Sequence, residues 1–124
     1  FIIFIGLAFL LFKFGGLSTA QVCADPTQTI ISLYSESNSH AAVYNSTSKD
    51  LNAVVSVCYD SIFGFKYAGS NPWTCTGTNG VVNLWTVKNS HISNSNYQAY
   101  SVHICYGDLQ CEIKSSCSLG EKKY

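Results

Sequence analysis

Two stretches of ten residues decide the fold of this chain: ISLYSESNSH at residues 31–40 and VNLWTVKNSH at residues 82–91. They align without a gap at an offset of 51, with four identical positions and three pairs of similar residues. A second match follows, VSVCY at residues 55–59 and VHICY at residues 102–106, at an offset of 47, so the second copy has a shorter loop. Self-similarity at this spacing predicts two copies of one structural unit.

Both copies have the local pattern of β-strands. The runs at residues 29–35, 53–59, 80–87 and 97–106 are dense in Val, Ile, Tyr, Trp and Thr and are bounded by turn-forming residues. Phe63, Phe65 and Tyr67 alternate and predict a further strand, while no stretch after Gln21 has a convincing helical period. The sequence therefore predicts an all-β fold of two tandem small repeats, each β-sandwich-like or a β-meander, at residues 21–72 and 73–116. Residues 117–124 would begin a third copy.

The N-terminus resembles an export signal. Residues 1–12 are uniformly apolar, a run too short to cross a bilayer as a helix, and the small residues Ser18 and Ala20 fit a cleavage site before Gln21. We therefore expect residues 1–20 to form an apolar signal helix that lacks its beginning. The alternative is a pilin-like filament subunit that retains this helix.

All six cysteines follow the predicted cleavage point: Cys23, Cys58, Cys75, Cys105, Cys111 and Cys117. An even number in a short exported chain predicts disulfides and an extracellular or cell-surface location. Zinc is disfavoured, because the nearest cysteines are too far apart for the close pairs of structural zinc sites. Repeat symmetry suggests Cys23–Cys58 and Cys75–Cys105, with Cys117 joining Cys111 or a partner beyond the sequence. A staggered arrangement, Cys58–Cys75 with Cys105–Cys117, remains open.

The repeated Asn-Ser-His triplets are the most conspicuous candidate sites: Asn38, Ser39 and His40 in the first copy, and Asn89, Ser90 and His91 in the second. A histidine at equivalent positions could bind a metal or another ligand. A turn is the favoured interpretation, because Asn tolerates left-handed backbone and one histidine per copy is too few for a zinc site. No metal or other cofactor is expected.

Catalytic residues are not evident. The seven acidic residues are scattered, no activated-nucleophile motif is present, and His103 is predicted on the outer face of a strand. Trp73, beside Pro72, is predicted to be an exposed ligand contact, whereas Trp85 is predicted to pack in the core. Asn45-Ser46-Thr47 is a possible glycosylation site.

The charge pattern limits the partners. Seven Lys balance seven acidic residues, and Arg is absent, so the basic surface that nucleic acids require is not expected. Membrane attachment would come only through the N-terminal segment or through a C-terminal anchor outside this sequence.

The Leu-x-x-x-x-Asn-Ser-His block, followed by Cys105-Tyr106-Gly107-Asp108, resembles tandem-repeat secreted or surface proteins predicted in uncultivated, small-celled (DPANN-type) archaea. The resemblance implies an extracytoplasmic, multi-copy β-protein and no assigned activity. The sequence thus favours a noncatalytic stalk, coat or adhesion element whose partners are neighbouring repeats, cell-surface proteins or glycans. An extracellular glycan- or ligand-binding module is the alternative.

Overall fold

The computed structural model describes residues 21–44 and 50–121. The predicted signal peptide, the possible glycosylation site at Asn45 and the last three residues of the expected third copy lie outside the described residues. Within the described part, none of the helices has the length and apolar character needed to cross a membrane.

The strands of the described residues form two small antiparallel sheets of three strands each. In the first sheet, β1 (Thr29–Leu33) lies between β2 (Ala41–Ala42) and β3 (Val55–Cys58). In the second, β4 (Gly80–Leu84) lies between β5 (Ile92–Asn94) and β6 (Val102–Cys105). The prediction of a mainly β protein with almost no helix is confirmed. A β-meander is wrong, because the first strand of each sheet, rather than the second, is central.

The two sheets have corresponding registers. Leu33 of β1 pairs with Ala41 on one side and Val55 on the other. Leu84 of β4 pairs in the same way with Ile92 and Val102. Each central strand also carries an irregularity towards β3 or β6, between Thr29 and Ile31 in β1 and between Gly80 and Val82 in β4. The same alignment offsets thus relate both the sequences and the strand pairings.

The predicted strand through Phe63, Phe65 and Tyr67 is wrong. Residues Tyr59–Phe63 form a short helix, α1, which ends at Gly64 with a φ of 78°. The rings of Phe63, Phe65 and Tyr67 lie 4.6, 5.7 and 5.7 Å from the ring of Tyr59. The three aromatic side chains therefore surround one buried tyrosine instead of alternating across a sheet.

The chain takes a different course after the equivalent tyrosine of the second copy. Gly107 follows Tyr106 with a φ of 53°, and a Cβ atom there would lie 2.5 Å from the ring of Tyr67. Only glycine fits such a position without strain. Asp60, at the corresponding position of the first copy, lies inside α1. Gly107 therefore allows a turn after Tyr106, whereas the chain after Tyr59 forms a helix.

One disulfide closes each sheet. Cys23, before β1, is bonded to Cys58 at the end of β3, and Cys75, before β4, is bonded to Cys105 at the end of β6. This is the symmetric one of the two arrangements that the sequence leaves open. Cys111 and Cys117 have free thiols, which differs from the prediction that all six cysteines are bonded. Cys111 packs against the core, whereas Cys117 is exposed in the C-terminal segment, so the two do not meet.

The hydrophobic core joins the two sheets. Its buried cluster contains Ile30, Ile31 and Ala41 from the first sheet and Val81, Leu84 and Ile104 from the second, together with Tyr59 and Tyr106. Tyr106 is fully buried, its ring stacks on that of Tyr59 at 5.5 Å, and its hydroxyl donates a hydrogen bond to the carbonyl of Thr27. A unit of about 50 residues buries too little apolar surface to be stable without such packing or a cross-link. Each sheet therefore covers the apolar face of the other.

The buried Tyr106 predicts a loss of stability in alkali. Burial, reinforced by neighbouring Tyr59 and Tyr67, raises the pKa of Tyr106 above its ordinary value of 10. The unfolded phenol loses its proton above about pH 10 while the folded one keeps it. Its contribution to stability is therefore complete below that pH and falls by about 1.4 kcal/mol per pH unit above it.

Chemical denaturation between pH 9 and 12 would measure this effect. Tyr106→Phe should cost about 1 kcal/mol at neutral pH, for the lost hydrogen bond, and should flatten the alkaline decline. Tyr97→Phe, at a half-exposed site, is the matched control and should leave the decline unchanged. Equal slopes for the wild type and Tyr106→Phe would contradict the account.

Candidate functional site

The Asn-Ser-His loops have closely similar local geometry. Asn38 and Asn89 both adopt left-handed backbone with a φ of 46°. The Ser39 hydroxyl accepts hydrogen bonds from the backbone N–H groups of Tyr34 and Ser35 at 2.8 and 2.9 Å. In the second loop the Ser90 hydroxyl accepts one from the N–H of Thr86 at 2.9 Å. Asn thus turns the chain and Ser closes the loop.

The two loops meet each other. The backbone groups of Ala41 and Ser90 exchange two hydrogen bonds, of 2.9 and 2.8 Å, in an antiparallel bridge that links the two sheets. This bridge brings His40 opposite His91, with ring centroids 4.7 Å apart and an interplanar angle of 64°. The Nδ1 atom of His40 lies 2.6 Å from the Oδ1 atom of Asn89. Residues 51 positions apart in the sequence thus form one histidine pair, and both side chains are exposed.

Tyr34 and Asp50 stabilise this loop contact through hydrogen bonds. The Tyr34 hydroxyl accepts a hydrogen bond from the backbone N–H of Asn89 at 3.0 Å and donates one to Asp50 Oδ2 at 2.5 Å. Burial, followed by the hydrogen bond to Asp50, raises the pKa of Tyr34. The hydrogen bond from Tyr34, with further help from Asn52 and Lys88, lowers the pKa of Asp50. Both shifts favour a neutral phenol beside a charged carboxylate.

Sequence reasoning missed this supporting pair. Tyr34 aligns with Trp85 in a predicted strand, and Asp50 is an isolated acid beyond the first loop. No local pattern links the two residues, which are 16 positions apart and meet only in the folded structure.

The exposures of the two tryptophans are the reverse of those predicted. Trp73, expected to be an exposed ligand contact, packs against the core and donates a hydrogen bond from Nε1 to the Thr29 carbonyl at 2.8 Å. Trp85, expected in the core, is 60% exposed. The reason is that β4 ends at Leu84, so the chain leaves the sheet before Trp85 and enters the loop.

Trp85 belongs to an exposed aromatic cluster on the second sheet. Its ring lies 5.6 Å from that of Tyr100, which in turn lies 5.2 Å from that of Tyr97. The buried side chain of Asn83 holds this segment, because its Nδ2 donates hydrogen bonds of 3.1 Å to the carbonyls of Ser95 and Tyr97. The amide of Asn83 therefore anchors the loop that carries the two tyrosines.

The outer faces of the two sheets differ in chemistry. In the second sheet His103 is exposed, and its Nδ1 lies 2.8 Å from Asn83 Oδ1. The corresponding residues of the first sheet, Ser32 and Ser56, are small hydroxyl side chains. Each pair lines a cavity, of about 270 Å³ in the first sheet and about 520 Å³ in the second. Asn83 joins His103 to the segment that carries Tyr97.

Metal-binding groups are sparse in residues 21–44 and 50–121. No group of three or more His, Cys, Asp or Glu residues is placed there to hold an ion. Four cysteines are bonded in disulfides, and burial raises the pKa of the free Cys111 thiol, which opposes the thiolate that metals bind.

Comparisons of the chain with protein-family models, with curated proteins and with solved structures give no match.

Proposed function

We propose that this chain is a noncatalytic, exported cell-surface protein, built by duplication of one β unit, that serves as a stalk, coat or adhesion element. The observation that carries the proposal is the pair of disulfides at corresponding positions of the two sheets, Cys23–Cys58 and Cys75–Cys105. Two such bonds are consistent with an oxidising environment outside the cytoplasm.

The matching registers support the duplication. Every residue pair of the first sheet has a counterpart in the second, at an offset of 51 for residues of β1 and β2 and of 47 for residues of β3. Independent origins would not require the same central strand, the same irregularity and the same disulfide position. Tandem duplication accounts for the shared central strand, the shared irregularity and the shared disulfide position. It is common in proteins that display loops along a surface.

The surface chemistry also suits an extracellular display protein. Only 11% of the residues are charged, so hydroxyl and amide side chains provide most of the polar surface. The described residues offer no evident catalytic group, since the three histidines contact asparagine or another histidine rather than a nucleophile.

The proposal predicts the state of the cysteines and the N-terminus in native material. Alkylation under denaturing conditions without reductant should leave Cys23, Cys58, Cys75 and Cys105 unmodified, and peptide mapping should find a mature chain that begins at Gln21. Reduction before alkylation, as the control, should expose all four. Modification of these four without reduction would contradict export. A retained peptide from residues 1–20 would favour the pilin-like alternative.

A second candidate function, glycan binding, is favoured by the exposed aromatic cluster. Trp85, Tyr97 and Tyr100 are held in place by mutual edge-to-face contacts. Exposed neighbours with hydroxyl or amide groups, Thr86, Gln98 and Ser101, could bond sugar hydroxyls. Aromatic faces beside such groups match the apolar face and polar rim of a sugar ring.

A glycan-array screen of wild type, Trp85→Ala and Trp73→Ala tests this candidate. Trp85→Ala should abolish binding while changing the free energy of unfolding by less than about 0.5 kcal/mol, because Trp85 is exposed. Trp73→Ala should cost about 3 kcal/mol, because Trp73 packs on the core, yet the folded fraction should still bind. Binding that survives Trp85→Ala would exclude the cluster as the binding surface.

A further inference from the structure

The contact between the Asn-Ser-His loops places two imidazole rings side by side at the surface. We propose that His40 and His91 form a two-histidine binding site for a divalent transition metal ion such as Zn²⁺. The proposal is independent of where the protein resides and of glycan binding. It rests on the 4.7 Å separation of the two ring centroids and on the exposure of both side chains.

The hydrogen bond of His40 leaves one ring nitrogen available. An amide oxygen only accepts hydrogen bonds, so the contact with Asn89 Oδ1 places the proton on His40 Nδ1. The lone pair then lies on Nε2. Histidines that bind metals commonly donate from their second nitrogen to such an acceptor, which fixes the tautomer and orients the ring.

Hydrogen bonds of the loop fix the position of Asn89, whose Oδ1 atom is the acceptor for His40. The backbone N–H of Asn89 is bonded to the Tyr34 hydroxyl, which is bonded in turn to Asp50. His91 has no such side-chain hydrogen bond among the described contacts, but the adjacent antiparallel bridge between Ala41 and Ser90 fixes its backbone. Both imidazoles are thus carried by connected backbone, which lowers the entropic cost of bringing two ligands to one ion.

Two protein ligands define the class of ion. Imidazole favours Zn²⁺, Ni²⁺ and Cu²⁺, whereas Mg²⁺ and Ca²⁺ prefer oxygen ligands. No third His, Cys, Asp or Glu joins the pair among the described residues, so water would complete the coordination. Such a site is open and exchangeable, unlike a closed structural zinc site.

Metal binding here would clamp the two sheets together. The ligands are separated by 51 residues and come from loops that follow the central strands of different sheets. An ion that binds only when the loops are docked stabilises the folded state by mass action. The expected consequence is a higher melting temperature in the presence of Zn²⁺.

The test uses the full chain with Cys111→Ser and Cys117→Ser, because free thiols also bind zinc. Zn²⁺ is titrated calorimetrically, and the melting temperature is measured with Zn²⁺ and with Mg²⁺. We expect one Zn²⁺ per chain and a rise of about 5 °C at ten times the dissociation constant. Mg²⁺ should cause no rise.

Three matched variants locate the site: His40→Gln, His91→Gln and His103→Gln. His91→Gln is the cleanest, because it removes a ligand without removing a side-chain hydrogen bond described here. The first two variants should lose the zinc-dependent rise, and His103→Gln, on the outer face of the second sheet, should keep it. Absence of a rise in the parent protein, its persistence in His91→Gln, or its equal loss in His103→Gln would overturn the proposal.

Discussion

The burial of Tyr106 between the two sheets joins the halves of the molecule. Its ring stacks on Tyr59, and its hydroxyl is bonded to the Thr27 carbonyl just before β1. Tyr106 thus follows the last strand of one sheet and completes the core of the other. Each half of the chain has only about 50 residues, near the lower limit for a self-sufficient core, so the two sheets depend on the core they share. The disulfides fix the shape of each sheet, and the shared core determines that the two sheets stay together.

Residues at corresponding positions meet where the sheets join. His40 contacts His91, and Tyr59 contacts Tyr106, so the two halves face each other through equivalent side chains. Away from this contact the two halves differ. Gly107 begins a turn at the position where Asp60 lies in α1 of the first half. Asn83 and His103 occupy the positions of Ser32 and Ser56.

Strands β1, β3, β4 and β6 could be predicted because they depend on local patterns that occur twice. The short strands β2 and β5 were not predicted, and the repeat left two disulfide arrangements open. β-Branched runs ending in Cys-Tyr identify β3 and β6, and the left-handed turns follow from the conformational tolerance of Asn. The exposures of Trp73 and Trp85 could not be predicted, because they depend on where β4 ends and on which loops cover the core. The histidine pair could not be predicted from the sequence either. Each histidine belongs to an ordinary turn, and only the docking of the two turns makes a pair.

The shared core implies that the two sheets fold as one cooperative unit. Differential scanning calorimetry of the disulfide-intact protein can test this, because the ratio of calorimetric to van't Hoff enthalpy counts the units that melt independently. The shared core predicts a single transition with a ratio close to one. Two resolved transitions, or one transition with a ratio near two, would show that each half melts by itself and would contradict the account.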